Sequence, residues 1–244
     1  MNLNELVTNA CDKEFFLKPN DYIEFALKYL EFIKTNLQAV IVSRNENHYQ
    51  FFQYKQDGTY NVTRPINSNL LYDFDDFESN SKEFIKILGD VKGSDSEENR
   101  LIVNRTIYTA QQCIGAALDA LPANKSNTAR KINGDLFERF IRLVISEIGI
   151  NVSEETISVP VEIDGEVAFK MNYQHDLIVK DGDITKAIGS VKTSSKDRID
   201  KIFIDKFLYN KLTDTNTPHF AIFLNDVQRK GKEGKYAINA TFLT

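Results

Sequence analysis

The second half of the chain alternates between helical and strand-like patterns of apolar residues. Apolar positions at helical spacing predict a helix over about 134–148, which Gly149 ends. A second such pattern predicts a helix over about 197–213. Alternating apolar and polar residues predict strands near 156–161, 166–179, 184–192, 219–224 and 235–243. Helix, β-meander, helix and strands in this order predict an α/β fold, with a mixed central sheet flanked by helices.

The first half predicts a smaller arrangement of helix and strands. A helix is expected over 20–37, where apolar residues follow a capping pair at helical spacing. Strands are expected at 38–43 and 48–63, and the second stretch contains the hairpin turn signal Asp57-Gly58. These elements predict an α+β lobe at the N-terminus.

A polar and charged stretch separates the two halves. It covers 89–99 and lies between a short predicted helix at 80–88 and a longer one over about 99–120. We therefore expect an N-terminal accessory lobe at 1–95 and the core domain at 96–244. The strand-like pattern runs to the last residues of the chain, so we also expect the core to be truncated at its C-terminus.

Composition and cysteine content narrow the class of protein. Hydrophobic residues make up 42% and charged residues 27% of the chain, as in ordinary globular proteins. No apolar run approaches the ~20 residues that span a bilayer, and the N-terminus does not have the organisation of a signal peptide. Cys11 and Cys113 have no second cysteine or histidine at metal-binding spacing. We expect a cytoplasmic protein with reduced thiols and no membrane partner.

The charge distribution bears on whether nucleic acid is a partner. A formal net charge of −5, taken alone, argues against it. The charge is uneven, however, because residues 187–235 contain ten lysines and arginines against six acids, whereas residues 1–100 contain acidic clusters. Enzymes that act on DNA need a local basic cleft, and their overall charge need not be positive.

Polar residues interrupt the apolar pattern at three places in the second half. Asp176 lies in an apolar strand, where a buried acid is costly unless it meets a cation or a metal. Ser190 and Lys192 end the next strand, and the period of two puts both on one face. Asp205 lies on a partly apolar stripe of the following helix, together with Tyr209.

Asp176 and Lys192 meet only if their strands have a particular register. A tight two-residue turn at Asp181-Gly182 with regular pairing would put the two side chains on opposite faces of the sheet. A connecting loop with an odd number of residues, or a β-bulge, would put them on the same face. We therefore predict an odd loop or a bulge.

These residues resemble the PD-(D/E)xK nuclease superfamily, over about residues 130–225. The superfamily pattern is an acid on one strand and acid-x-Lys on the next, and here Ser190 takes the catalytic position of the second acid. This departure is similar to a branch of the type II restriction endonucleases, which cut CCGG- or CCNGG-type sites. In that branch Ser-x-Lys occurs and the acid lies downstream on the next helix. Asp205 follows Lys192 with twelve residues between them, which fits, whereas His175 replaces the usual proline before Asp176.

The resemblance implies Mg²⁺-dependent, site-specific hydrolysis of double-stranded DNA in a restriction-modification system. Asp176 and Asp205 would hold Mg²⁺ through hard oxygen ligands, and Lys192 would orient or deprotonate the attacking water. In the superfamily a glutamate on the helix before the sheet often touches a metal, which makes Glu138 a further metal-binding candidate. The alternative for Glu138 is a salt bridge to Arg142, four residues further along the helix.

The segment after Lys192 is the candidate for reading the DNA sequence. The similar enzymes carry a base-reading motif here, and Lys196, Asp197 and Arg198 follow at a spacing one residue shorter. Arginine can bind guanine through two hydrogen bonds, and aspartate can accept one from cytosine. Alternatively, Asp197 caps the helix and Lys196 binds only phosphate. The resemblance also implies a homodimer, since a two-fold axis matches a palindromic site.

Two other interpretations stay open. Repair and modification-dependent nucleases use the same scaffold. Ser190 is also compatible with a non-catalytic DNA-binding or interaction protein on a decayed nuclease scaffold. The position of Asp205 distinguishes these alternatives, because a carboxylate near Asp176 and Lys192 favours an enzyme and a solvent-facing one disfavours it.

Overall fold

The chain begins with two helices. The structure is a computed structural model that describes residues 2–56, 58–195, 199–225, 227–229 and 236–240. Helix α1 spans Leu3–Cys11, a 3₁₀ turn spans Lys13–Phe15, and helix α2 spans Pro19–Asn36. The apolar pattern did not predict α1. A capping box starts it, because the Asn2 side chain accepts the Glu5 N–H at 2.9 Å and the Glu5 carboxylate accepts the Asn2 N–H at 3.0 Å.

A small antiparallel sheet follows the first helices. Its strands are β1 (Leu37–Val42), β2 (Tyr49–Gln56), β3 (Thr59–Val62) and β4 (Ile66–Asn67). Strand β2 pairs with each of the other three. The predicted turn joins β2 to β3, where Gly58 has a φ of 81° that favours glycine; Asp57 lies outside the described residues. The N-terminal part thus combines helices and antiparallel strands, as predicted.

Three helices connect the two sheets. They are α3 (Phe74–Gly89), α4 (Glu97–Leu118) and α5 (Ser126–Glu147), with a 3₁₀ turn at Ala123–Lys125 before α5. Both α3 and α5 begin earlier than the apolar pattern predicted. The Asp73 carboxylate caps α3 by accepting the Asp76 N–H at 2.9 Å. None of the described helices is long and apolar enough to cross a membrane.

The first and second halves of the chain share one hydrophobic core. Tyr22 of α2 stacks on Phe140 of α5 with ring centroids 4.1 Å apart, and its hydroxyl donates to the Leu136 carbonyl at 3.0 Å. Residues from both sides of the predicted domain boundary belong to this cluster. The boundary at 95/96 itself stays a prediction.

The central sheet has four strands in the order β5-β6-β7-β8. They are β5 (Val152–Ile163), β6 (Glu166–Asp181), β7 (Ile184–Lys192) and β8 (His219–Phe223). The first two pairings are antiparallel and β7 pairs with β8 in parallel. Helix α6 (Ile199–Thr213) connects β7 to β8, which is the helical crossover that parallel strands require.

Helices cover both faces of this sheet. Phe140 of α5 belongs to the main core with Val191, whereas Tyr209 of α6 packs in a smaller cluster with Tyr173 and Ile188. Ile188 and Val191 are an odd number of residues apart on β7, so their side chains point to opposite faces. The predicted mixed sheet with flanking helices is therefore confirmed.

The last described strands lie apart from the central sheet. Strands β9 (Val227–Arg229) and β10 (Ile238–Ala240) pair with each other as an antiparallel ribbon. Val227 and Ile238 pack against Tyr49 and Phe51 of β2. The described part of the predicted 235–243 strand therefore joins the N-terminal sheet's hydrophobic surface rather than the central sheet; residues 235 and 241–243 lie outside the described residues.

Candidate active site

A β-bulge sets the register that brings Asp176 to Lys192. Near the turn, Lys180 pairs with Thr185, but Val179 pairs with Ala187, so Lys186 is an extra residue on β7. The pairing of β6 with β7 beyond this point brings Asp176 level with Ser190. The prediction of an odd loop or a bulge is thus confirmed, and the structure has the bulge.

A second bulge, on β6, includes Asp176 itself. Ser153 of β5 pairs with Ile178 and Glu155 pairs with His175, so Asp176 and Leu177 lie opposite one β5 residue. Bulges of this kind re-aim side chains and are common beside active sites. The sequence pattern gave no sign of this second irregularity.

Lys192 forms the centre of the candidate site. Its Nζ donates to Asp176 Oδ2 at 2.5 Å and to Glu138 Oε1 at 2.8 Å. The Val191 N–H also donates to Asp176 Oδ2, at 2.8 Å, which fixes this carboxylate against β7. All three side chains are mostly buried, with 15% of Asp176, 22% of Glu138 and 25% of Lys192 exposed. Two strands and helix α5 therefore combine to build one charged cluster.

The alternative salt bridge for Glu138 does not form. Arg142 pairs instead with Glu154 of β5 at 3.0 Å, and Glu138 faces Lys192. Ser190 is half-buried on β7, and its hydroxyl makes no hydrogen bond within the part of the chain that the structure describes.

Burial and pairing shift the pKa values of this cluster. Burial raises the pKa of Glu138, while the hydrogen bond from Lys192 opposes the increase and the charge of Asp176 adds to it. Burial would lower the pKa of Lys192, but its hydrogen bonds to Asp176 and Glu138, together with their charges, raise it above the ordinary value. Lys192 is therefore a cation at neutral pH.

Asp205 lies in a different environment. It is half-buried on α6, one turn before Tyr209. The centroid of the Tyr209 ring lies 5.5 Å from that of His175 and 5.8 Å from that of His219. The Asp205 charge opposes the lowering of the pKa of both histidines, which burial causes. The carboxylate thus belongs to an α6-side cluster of aromatic rings.

No hydrogen bond or ion pair among the described residues joins Asp205 to Asp176 or Lys192, and the metal-binding role expected for Asp205 stays a prediction. Within the described residues, no group of three or more His, Cys, Asp or Glu side chains is arranged to hold a metal ion. His175, next to Asp176 on β6, packs against Tyr209 of α6, and the charges of both Asp205 and Asp176 act on it. Glu138 of α5 lies beside Lys192.

The donor set of the cluster nevertheless suits a hard cation. Among the described residues, no hydrogen bond engages Asp176 Oδ1 or Glu138 Oε2. Carboxylate oxygens are the ligands that Mg²⁺ prefers, and this ion commonly uses one or two carboxylates and completes its shell with water and phosphate. The chemistry of Asp176 and Glu138 therefore fits a magnesium ion.

The predicted DNA-reading residues Lys196, Asp197 and Arg198 lie outside the described residues. The segment leading to them is held by Asn225, a role that the sequence did not reveal. The Asn225 carbonyl accepts the Ser195 N–H at 3.1 Å, and its amide donates to the Thr193 carbonyl at 3.4 Å. Gln112 of α4 in turn donates to Asn225 Oδ1 at 3.0 Å. The chain after Lys192 is thereby fixed to the core helix α4.

Comparison with known proteins bears on the fold. No family model and no curated protein matches the sequence. The crystal structure of the type IIP restriction endonuclease Kpn2I is similar to this chain, with a TM-score of 0.69 and 18% sequence identity. The similarity covers 99% of this chain and 80% of the other. The chain therefore has a restriction-endonuclease-like fold. Because the sequence identity is only 18%, the similarity shows the fold and not the activity.

Proposed function

We propose that this protein is a type II restriction endonuclease, which uses Mg²⁺ to hydrolyse double-stranded DNA at a specific sequence. The observation that carries the proposal is the ammonium of Lys192 held between the carboxylates of Asp176 and Glu138. This cluster lies on a fold similar to that of a type IIP restriction endonuclease. Buried ionisable groups with shifted pKa values in one cluster are typical of catalytic sites.

The proposal gives each residue of the cluster a chemical task. Asp176 and Glu138 would hold Mg²⁺. When bound, the ion supplies Lewis-acid stabilisation of the charge that develops on the phosphate, and it lowers the pKa of water. Lys192, as a cation, would pair with a phosphate oxygen and orient the attacking water rather than remove its proton. Ser190 lies on the same strand as Lys192, and its neutral hydroxyl adds no charge to the cluster. A role of Asp205 as a metal ligand stays a prediction.

The proposal extends to the DNA contacts. Lys196, Asp197 and Arg198 follow the segment that Asn225 fixes to α4, so a rigid base would present them to the duplex. We propose that Arg198 and Asp197 contact bases and that Lys196 contacts phosphate. A homodimer would then place two such segments on the two halves of a palindromic site.

A non-catalytic scaffold is favoured by one observation, which is Ser190 at the position of the second acid. Two carboxylates around one buried ammonium argue against it. Burying these charges is costly, and replacing such a group with apolar residues is often neutral or stabilising. A scaffold without catalytic work would gain little from retaining the cluster.

The test is digestion of unmethylated phage DNA in the presence of Mg²⁺ by the wild type and Lys192→Ala. Lys170→Ala is the matched control, because Lys170 lies on β6, the strand that carries Asp176, and is exposed. We expect discrete bands from the wild type and the control. The Lys192→Ala rate should be lower by at least about a hundredfold, as for loss of a positioned catalytic group.

Other results would contradict the proposal in distinct ways. Equal cutting by Lys192→Ala would mean a contaminating nuclease. A smear, or cutting only of modified DNA, would indicate another kind of nuclease on this scaffold. DNA binding without cutting by the wild type would support the non-catalytic alternative.

A further inference from the structure

Two neighbouring glutamines of helix α4 are buried without a full set of hydrogen bonds. Gln111 and Gln112 are both 0% exposed. Through Nε2, Gln111 donates to the Asn133 side chain of α5 and Gln112 donates to the Asn225 side chain after β8, each at 3.0 Å. Among the described residues, neither Oε1 atom has a hydrogen-bond partner. Burial of an unpartnered carbonyl is unfavourable, so what these glutamines contribute is the contact made by Nε2.

Helix α4 orients the side chain of Asn225. Tyr108 and Gln112 are four residues apart, so they lie on one side of the helix. The Gln112 amide donates to Asn225 Oδ1 at 3.0 Å, and the Tyr108 hydroxyl donates to the same atom at 3.4 Å. The other end of the carboxamide, Nδ2, donates to the Thr193 carbonyl at 3.4 Å. Two donors of α4 therefore fix which end of this carboxamide meets the segment after Lys192.

The segment after Lys192 is joined to the end of β8 by three hydrogen bonds. The Lys192 carbonyl accepts the Leu224 N–H at 3.1 Å, and the Ser195 N–H donates to the Asn225 carbonyl at 3.1 Å. The third bond is the one from Asn225 to Thr193. Ser195 is 4% exposed. Because Asn225 makes two of the three bonds, its position determines the position of this segment.

We propose that Gln112 and Asn225 are positioning residues for sequence discrimination, because through them helix α4 fixes the segment 193–195. This inference rests on the proposed function, in which the residues that follow Ser195 read the DNA. Recognition of a base by two hydrogen bonds requires a fixed geometry, and a misplacement of about 1 Å can cost about a hundredfold in rate. Both residues act through the backbone of this segment and not on the DNA itself.

The test compares Gln112→Met with Gln111→Met in the full chain. Methionine is similar to glutamine in length, and it removes both the Nε2 donor and the unpartnered Oε1, so each variant should stay folded. Gln111→Met is the matched control, because Gln111 is equally buried on the same helix and its donor reaches Asn133 instead of Asn225. Circular dichroism checks the fold of both variants.

Amide hydrogen exchange of the free protein gives the first readout. In Gln112→Met the Ser195 amide should exchange at least about tenfold faster than in the wild type, because its bond to the Asn225 carbonyl opens more often. In Gln111→Met it should exchange at the wild-type rate. A merely structural role of the buried glutamines would change this exchange equally in both variants.

Discrimination between DNA sites gives the second readout. It is the ratio of the cleavage rate at the preferred site, found by sequencing the ends of wild-type fragments, to the rate at sites that differ by one base pair. This ratio should fall at least about tenfold in Gln112→Met and stay within about twofold in Gln111→Met. Asn225→Ala should lower it as well, and the double variant Q112M/N225A should lose no more than Asn225→Ala alone, since Gln112 acts through Asn225.

Several outcomes would overturn the proposal. Equal exchange of Ser195 in the two methionine variants excludes positioning by Gln112. Faster exchange with an unchanged ratio excludes a role in discrimination, and losses that multiply in the double variant exclude action through Asn225. A wild type that never cuts DNA contradicts the proposed function and with it the role in discrimination, whereas the exchange rates still decide whether Gln112 positions the segment.

Discussion

Each residue of the candidate site depends on the other two for its burial. An ammonium or carboxylate taken out of water costs several kcal/mol unless an opposite charge and hydrogen bonds compensate. The positive charge of Lys192 compensates the negative charges of Asp176 and Glu138, and the Val191 N–H donates a further hydrogen bond to Asp176. The three side chains therefore form one unit whose members are not independent.

Residue patterns predicted part of this unit. An acid in an apolar strand and a lysine ending the next strand were sufficient to predict that Asp176 and Lys192 meet. The alternation of side chains along the strands then required an odd loop or a bulge between them.

The metal-binding role of Asp205 stays a prediction. The side of α6 that carries Asp205 does face the sheet, since Tyr209 and Leu212 on it pack against Tyr173 and Ile188. Helical periodicity predicts which side of a helix is buried, but it does not predict which residues of the sheet that side contacts. The second bulge, on β6 at Asp176 and Leu177, also has no sequence signal.

The paired histidines of the α6-side cluster predict a pH dependence of stability. Burial lowers the pKa of His219 below its ordinary value of 6.5; the Thr217 carbonyl and the Asp205 charge oppose this, while the Lys206 charge adds to it. Burial, with the His219 charge, also lowers the pKa of His175. Since the unfolded chain then binds more protons, stability is full above pH 6.5 and falls as the pH drops below it.

Urea unfolding at a series of pH values between 7.5 and 5 would measure this effect. His219→Gln should reduce the slope of unfolding free energy against pH by about half, because one of two contributing histidines is removed. Gln174→Ala, a change of an exposed residue without a titratable group next to His175, is the control and should keep the wild-type slope. An unchanged slope in His219→Gln would contradict the role given to burial.

At the scale of elements, apolar periodicity gave most helices and strands but not all their ends. Strand β7 matches its prediction, since it is bounded by polar turns. Helix α5 begins before Gly134, because Ala129 and Asn133 continue its buried side, and a glycine inside a helix does not end it. Helix α1 has only nine residues, and its buried side chains Leu3, Leu6 and Ala10 extend over about two turns, so its apolar pattern was too short to predict it.

The packing of β7 against β8 predicts that Gly189 cannot be enlarged. A Cβ at this position would lie 2.6 Å from the Phe220 ring and 3.1 Å from Leu177. We expect Gly189→Ala to lower the free energy of unfolding by about 1–3 kcal/mol, as overpacking does. Gly134→Ala in α5 meets nothing within 4 Å and should raise it by up to about 1 kcal/mol. Chemical denaturation of both variants checks this, and equal effects would contradict the packing.

At the scale of the whole molecule, contacts between distant segments lay beyond the sequence pattern. The predicted accessory lobe and core share one hydrophobic cluster. Strands β9 and β10 pack against β2, although most of the sequence lies between them. Periodicity describes one segment at a time, so it cannot show which surfaces meet. The mixed sheet with flanking helices was predictable, because the order of helices and strands restricts the topology strongly.

The central claim is that Lys192 and Glu138 act as one catalytic unit with Asp176. Cleavage rates of Lys192→Ala, Glu138→Gln and the double variant on one plasmid with Mg²⁺ test it most directly, with Glu147→Gln, an exposed change on the same helix, as control. Each single change should slow cleavage at least about a hundredfold, and the double variant should be no slower than the slower single variant. If Glu138→Gln cuts as fast as Glu147→Gln, or if the two losses multiply in the double variant, the claim is contradicted.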